Sequence, residues 1–317
     1  MTPVAALVVI TRKVRFSAGH HLALPELTDA ENFDHFWKAS LREGHGHNYI
    51  AEIGVEGPID PTTGMVLNLS DLKQLLAQHI TDEYDFKNLN AHPDFETYLP
   101  AIENICCVLW RRLQPSIRQL PGGDATRLRW ITVSETDTLW GSLIAVPNTL
   151  YPSTDTALTA EAEPNERLVH TFTKVLHFSA SHRLHNPQLD DATNRQIFGK
   201  CNNANGHGHN YELHVTLTGP QDPRTGLIVD LWAFEKALET HVMEPFDHKH
   251  LNLDVACMAG LNPTAEVITS VLWDQLNPHI PQPARLFKLR LVESTNNAVE
   301  YYGPNGPTLE PTHLPPR

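Results

Sequence analysis

Residues 167–184, RLVHTFTKVLHFSASHRL, alternate apolar and polar positions and are rich in Val, Thr and Phe, which predicts a β-strand. The run HNYELHVTLTG at 209–219 alternates in the same way. Leu231–Val242 and Leu69–Ile80 carry apolar residues at helical spacing. Pro263–Leu276 and Pro100–Leu113 do so as well, each with proline where a helix tolerates it. RLFKLRLVES at 285–294 and RLRWITVSET at 127–136 read as closing strands, and DPTTG and DPRTG as turns. The resulting order, strand–strand–helix–helix–strand–strand, predicts an α+β unit with a four-stranded antiparallel sheet and two helices.

That unit occurs twice. FSAGHHL at 16–22 matches FSASHRL at 178–184, and GHGHNY at 44–49 recurs at 206–211; both are offset by 162 (182 − 20 and 207 − 45). GPIDPTTGMVLNL at 57–69 matches GPQDPRTGLIVDL at 219–231, YDFKNLN at 84–90 matches FDHKHLN at 246–252, and VSETD at 133–137 loosely matches VESTN at 292–296. A period this long means duplicated domains rather than a solenoid. The expected organisation is a first unit at 1–146, a Pro/Thr/Ala/Glu-rich linker at 147–167, a second unit at 168–304 and a Pro-rich tail at 305–317.

Composition narrows the partners. Of 317 residues, 41% are hydrophobic and 19% charged, and the net charge is −13, so the chain reads as globular with no basic face for nucleic acid. Its longest apolar run, Val4–Ile10, is too short to span a bilayer and lacks a signal-peptide pattern. Four cysteines without a C-x-x-C pair fit a reducing, cytoplasmic setting. Cys106, Cys107, Cys257 and the tryptophans Trp37, Trp110, Trp232 and Trp273 read as packing residues.

Candidate chemistry lies in the histidines. On a strand, His207 and His209 point to one face, and His182 precedes them on the neighbouring strand. Three neutral imidazoles leave Zn²⁺ an open position, the pattern of a catalytic zinc site. An isolated H-x-H is commonly a surface or core feature. Here the set recurs as His20, His45 and His47 with the same spacing, which favours a metal.

The string FSASHRL…FGKCNNANGHGHNY…FDHKHLNLD…VES resembles the 6-pyruvoyl-tetrahydropterin synthase family over nearly the whole second unit. The resemblance implies two tandem tunnelling-fold units, a zinc site, and conversion of 7,8-dihydroneopterin triphosphate to 6-pyruvoyl-tetrahydropterin with loss of triphosphate. It implies His182, His207 and His209 as zinc ligands, Cys201 as the proton-abstracting base, and Asp247 and His248 as its relay. Glu293 would anchor the pterin ring, with Thr264 and Glu266 in the pterin pocket. Lys200 and Arg183 are candidates for the triphosphate. The chemistry is reasonable on its own terms: a thiolate can act as base, an Asp–His pair can shuttle a proton, and a carboxylate can pair with an amino-pyrimidine edge. Two alternatives are a 6-carboxytetrahydropterin synthase of queuosine biosynthesis, although its C-x3-H-G-H motif is missing here, and a non-catalytic pterin- or metal-binding scaffold.

The first unit keeps His20, His45 and His47, with Glu135 and Glu103 matching Glu293 and Glu266. Ala39 stands where Cys201 stands and Phe86 where His248 stands, leaving Asp85 alone. It is expected to act as a scaffold or a non-catalytic binder; the competing reading has Glu43 replace the cysteine. In the family, cysteine and relay come from different subunits. Both losses fall in one unit, so second units are expected to meet second units, in a homotrimer of tandem chains with one ring of each kind.

Overall fold

The computed structural model describes residues 7–148, 160–306 and 315. Most of the expected linker (149–159) and most of the expected Pro-rich tail (307–314, 316 and 317) lie outside the described residues. The chain forms two compact units. The boundary falls inside one strand, after Phe172, and the first unit also includes Thr218–Trp232.

In the first unit, β1 (Leu7–His20) pairs antiparallel with β2 (His45–Pro58) from Leu7↔Pro58 to His20↔His45. After the two-residue β3 (Lys87–Asn88), which lies parallel to the end of β1, β4 (Arg127–Thr136) pairs with β2 and β5 (Leu139–Pro147) with β4. In the second unit the order is β10 (Asn297–Tyr301), β9 (Arg285–Ser294), β7 (His207–Thr218) and β6 (Glu166–His182), with the short β8 (Lys249–His250) parallel to β6. The α+β architecture and the four long strands per unit are those read from the sequence.

Each unit has one helix more than expected. In chain order the longer helices are α1 (Asp29–Phe36), α2 (Leu69–Leu76), α3 (Ile102–Arg118), α4 (Asp191–Phe198), α5 (Leu231–Leu238) and α6 (Ala265–Leu276). The extra pair is α1 and α4. Few of their residues are buried, so apolar periodicity is weak, and capping does the specifying. Thr28 and Glu31 form a reciprocal capping box on α1, and Asp190 accepts the Thr193 N–H on α4. Helix α3 runs past its expected end at Leu113 and through Pro115.

Apolar faces of α2 and α3 cover one sheet, burying Leu72, Leu76, Ile105 and Leu109 beside Ile53 and Ile131. In the second unit, Phe234, Leu238, Leu272 and Leu276 do the same beside Leu213 and Leu289. Cys106, Cys107, Trp110 and Trp273 are buried as expected. Trp37 and Trp232 are not: each is exposed, and their rings lie against one another at 5.5 Å. Among the described residues, no helix is long and apolar enough to cross a membrane.

Candidate metal and pterin site

The end of β6 and the start of β7 bring His182, His207 and His209 together, with their ligand atoms within 4.8 Å of one another. His182 is buried, and its Nδ1 lies 2.7 Å from the Pro263 carbonyl. A carbonyl only accepts, so Nδ1 carries the proton and Nε2 presents a lone pair. The Nε2 atoms of His182 and His207 are 3.1 Å apart. Two nitrogens on a tetrahedral zinc would be separated by about 3.3 Å. The His209 Nε2 is buried without a hydrogen-bond partner. Burial lowers the pKa of His182 and of His207. A His182 Nε2 lone pair turned toward His207, ligand atoms within 4.8 Å of one another and one orphaned buried nitrogen on His209 fit a divalent cation such as Zn²⁺.

The first unit repeats this geometry. His20 Nδ1 is 2.8 Å from the Pro100 carbonyl, its Nε2 is 3.2 Å from the His45 Nε2, and the His47 Nε2 is buried and unpartnered. Burial pushes His20 and His47 down to about 4. A carboxylate faces each triad. Glu293 Oε1 lies 4.0 Å from His182 Nε2 and 3.8 Å from His209 Nε2; Glu135 lies 3.8 Å from His20 and 3.9 Å from His47. These distances exceed a direct hydrogen bond and leave a small space between acid and imidazoles.

Sequence reasoning missed the tyrosine of each GHGHNY motif. Tyr211 continues the alternation from His207 and His209, stacks on Phe178 at 5.0 Å, and buries a hydroxyl with no partner. Its pKa is raised by burial, then by the charge of Glu293 and by Cys201. Tyr49 occupies the same place behind His47. The period of two that aligned the histidines was the available signal.

Cys201 sits half-buried on the turn after α4, where its carbonyl accepts the Leu184 N–H at 2.9 Å. The relay pair lies elsewhere. Asp247 Oδ1 accepts the Ser179 N–H at 2.8 Å, and Oδ2 is 2.9 Å from His248 Nδ1. Hydrogen bonding from Ser179 and His248 lowers the Asp247 pKa. His248 has a left-handed φ of 56° and an 82% exposed side chain. It borders a concavity of about 540 Å³ whose lining includes Ser179, Ala180, Ser181, His209, Asn210 and Lys249. Ser179, Ser181 and Asn210 alternate with Phe178, His182, His207 and Tyr211, and the Ser179 hydroxyl bonds Asn210, so these residues lie on the other sheet face, with His209 also bordering the concavity. Cys201 is not among the described residues lining that concavity.

In the first unit, Phe86 takes the His248 position with φ 55° and 88% exposure, while Asp85 keeps its bond to the Ser17 N–H at 2.7 Å. Ala39 and Glu43 sit on the counterpart of the Cys201 turn, Glu43 exposed. Thr264 caps α6 by accepting the Val267 N–H, directly after the Pro263 that orients His182. Glu266 is exposed, whereas its counterpart Glu103 is buried and accepts the Ile228 N–H at 3.1 Å. The Arg183 guanidinium contacts the Asn202 carbonyl and His185.

Fold and site together define a duplicated α+β protein carrying the same histidine–carboxylate constellation twice. Residues 9–144 and 171–304 each match the family model described as 6-pyruvoyl tetrahydropterin synthase, and the chain belongs to that family. The 6-pyruvoyl tetrahydrobiopterin synthase of Drosophila melanogaster is 42% identical over 127 residues, covering 40% of this chain and 76% of that protein. The Homo sapiens protein of the same name is 44% identical over 126 residues, covering 40% of this chain and 86% of that protein. Among solved structures, the Caenorhabditis elegans 6-pyruvoyl tetrahydropterin synthase is 38% identical with a TM-score of 0.40, covering 42% of this chain and 94% of that one.

Proposed function

We propose that the second unit is a zinc-dependent carbon–oxygen lyase converting 7,8-dihydroneopterin triphosphate to 6-pyruvoyl-tetrahydropterin and triphosphate. The observation that carries this reading is the asymmetry between two otherwise matching sites. The second unit combines triad and Glu293 with Cys201 and an Asp247–His248 pair; the first has Ala39 and Phe86 instead.

Zinc held by His182, His207 and His209 would supply a Lewis acid that makes the neighbouring side-chain carbon more acidic. The protein supplies the rest. Cys201 takes a proton from that carbon, and hydrogen returned to the ring makes the tetrahydropterin while the side-chain carbinol becomes a ketone. Expulsion of triphosphate and ketonisation of the resulting enol give the second carbonyl. Hydrogen moves within the substrate, so no outside oxidant is needed. Glu293 holds the amino-pyrimidine edge, and buried Tyr211 excludes water behind it. His248, held by Asp247, shuttles protons. Because Cys201 does not line the concavity beside His248, His248 serves the Cys201 of another chain, in keeping with a homo-oligomer.

Incubating the purified chain with 7,8-dihydroneopterin triphosphate and identifying the product by mass tests this directly. The pyruvoyl product is expected. A 6-carboxy product would redirect the assignment, and intact substrate would leave a binding scaffold. Loss of product in Cys201→Ala assigns the activity to the second unit.

A further inference from the structure

Each histidine triad has a phenol buried behind it that bonds to nothing. Tyr49 and Tyr211 are both 0% exposed, and among the described residues neither hydroxyl has a hydrogen-bond partner. Tyr49 stacks on Phe16 at 4.9 Å and Tyr211 on Phe178 at 5.0 Å. Phenylalanine would keep that stacking without the cost of a buried, unpaired hydroxyl. The first repeat has Ala39 and Phe86 in place of the thiol and the relay, yet it keeps the tyrosine. A polar group that lowers stability at the same place in both units points to a ligand that pairs with it.

Strand register shows what lies beside each phenol. β2 pairs with β1 at Phe16↔Tyr49 and with β4 at Ile50↔Ser134, so one step further along puts Tyr49 opposite Glu135. Residues opposite one another in antiparallel strands have Cβ atoms about 4.5–5.5 Å apart. The repeat places Tyr211 and Glu293 in the same relation on the neighbouring strands β7 and β9. Glu135 and Glu293 are the carboxylates that face the triads across a gap, at 3.8 Å and 3.9 Å in the first unit and 3.8 Å and 4.0 Å in the second. Each unit therefore sets an ionised carboxylate, which only accepts, next to a phenol, which keeps its proton near neutrality and can donate. Acid and phenol are adjacent but not bonded to each other.

An acceptor beside a donor suits one kind of ring edge. A 2-amino-4-oxo pyrimidine presents two N–H groups followed by a carbonyl oxygen. The carboxylate can take the N–H groups while the phenol donates to the oxygen, which satisfies every polar group on both sides.

We propose that Tyr211 donates its hydroxyl proton to the ring carbonyl of a bound pterin, beside the N–H groups taken by Glu293, and that Tyr49 and Glu135 hold the same ring in the first unit without converting it. The proposal rests on the pterin reading of the second site. It makes each tyrosine a specificity-determining residue for the 4-oxo group. It also makes the first unit a second binding site rather than a bare scaffold.

Equilibrium dialysis of the full, zinc-loaded chain against 2-amino-4-oxopteridine and its 4-thioxo analogue tests this. The sulfur compound keeps both N–H donors but accepts weakly. The wild-type chain should bind two equivalents of the oxo ring and favour it over the thioxo ring by about tenfold, the effect of one hydrogen bond from a buried donor. With Glu135→Gln silencing the first site, Tyr211→Phe should erase that preference at the second. With Glu293→Gln silencing the second, Tyr49→Phe should erase it at the first. Each Phe variant should also raise the Tm of the ligand-free chain, because it removes an unpaired buried hydroxyl. A lower Tm would mean that the hydroxyl is paired within the protein, and would overturn the proposal. An unchanged oxo-to-thioxo ratio in the Phe variants would do the same, and a single equivalent bound by the wild type would refute the first-unit site. A chain that binds neither ring also overturns it; product formation from 7,8-dihydroneopterin triphosphate, measured separately, shows whether the reading of the second site falls with it.

Discussion

The Nδ1 of His182 donates to the Pro263 carbonyl at 2.7 Å, and this bond fixes which nitrogen can bind a metal. His20 and Pro100 repeat it at 2.8 Å. A backbone carbonyl held by the start of a helix thus sets the tautomer of the buried histidine in each triad, the outer-shell arrangement usual for metal-bound imidazole. Because burial keeps His20 and His47 neutral down to about pH 4, protons do not compete for the first triad near neutrality. The purified chain is therefore expected to hold two equivalents of zinc. His209→Ala and His47→Ala should each remove one, read by elemental analysis. A single equivalent in the wild-type chain would refute a metal site in the first unit.

Loss of the thiol should separate chemistry from binding. The backbone of Cys201 is anchored by the Leu184 N–H, and Cys201→Ala leaves that bond intact. The expected result is a fall in kcat of roughly 10²–10⁴-fold, the usual contribution of a positioned base, with unchanged zinc content and Tm. With first units meeting first units, Ala39→Cys in the same background should not restore turnover, since the facing unit offers Phe86 in place of a proton relay.

The absence of Cys201 from the described residues lining the His248 concavity gives a complementation test. Cys201→Ala chains retain Asp247–His248, and His248→Ala chains retain Cys201. If relay and thiol meet only across chains, co-expressed mixtures contain some intact sites and recover part of the wild-type activity. Activity no higher than that of either variant alone would place relay and thiol within one chain.

Much of this was legible in the sequence, for identifiable reasons. Period-two alternation placed the long strands and put His207 and His209 on one face, and the duplicated spacing singled out both triads. Helix α1 was passed over because only Asn32 and Phe36 among its residues are buried, yet Thr28 and Glu31 had already spelled out its capping box. The Asp247–His248 pair was singled out by resemblance, but its place beside β6 comes from the Ser179–Asp247 bond, which joins residues 68 apart in the chain. The Gln221–Asn104 pairing spans 117 residues and has no local signature at all.

Glu103 lets that buried junction be read by pH. Burial raises its pKa to about 7, against the partial relief of the Ile228 N–H. A carboxyl whose folded pKa exceeds the unfolded value binds more protons in the native state between the two. Its full contribution to stability is present below about pH 4.5 and is lost as pH rises through about 7. The shift corresponds to about 3 kcal/mol at most. Buried His170, pushed down to about 3, acts in the opposite direction and costs stability as pH falls below about 6.5. That second effect is common to wild type and a Glu103 variant, so it cancels in their difference. Glu103→Gln keeps an acceptor for Ile228 and cannot ionise. The cost of the variant's added N–H₂ is the same at every pH, so urea unfolding should show the variant gaining on the wild type between pH 5 and pH 8.5 by up to about 3 kcal/mol. Parallel stability curves for the two proteins would mean that Glu103 ionises freely and that the Gln221–Ile228 turn does not seal it from water.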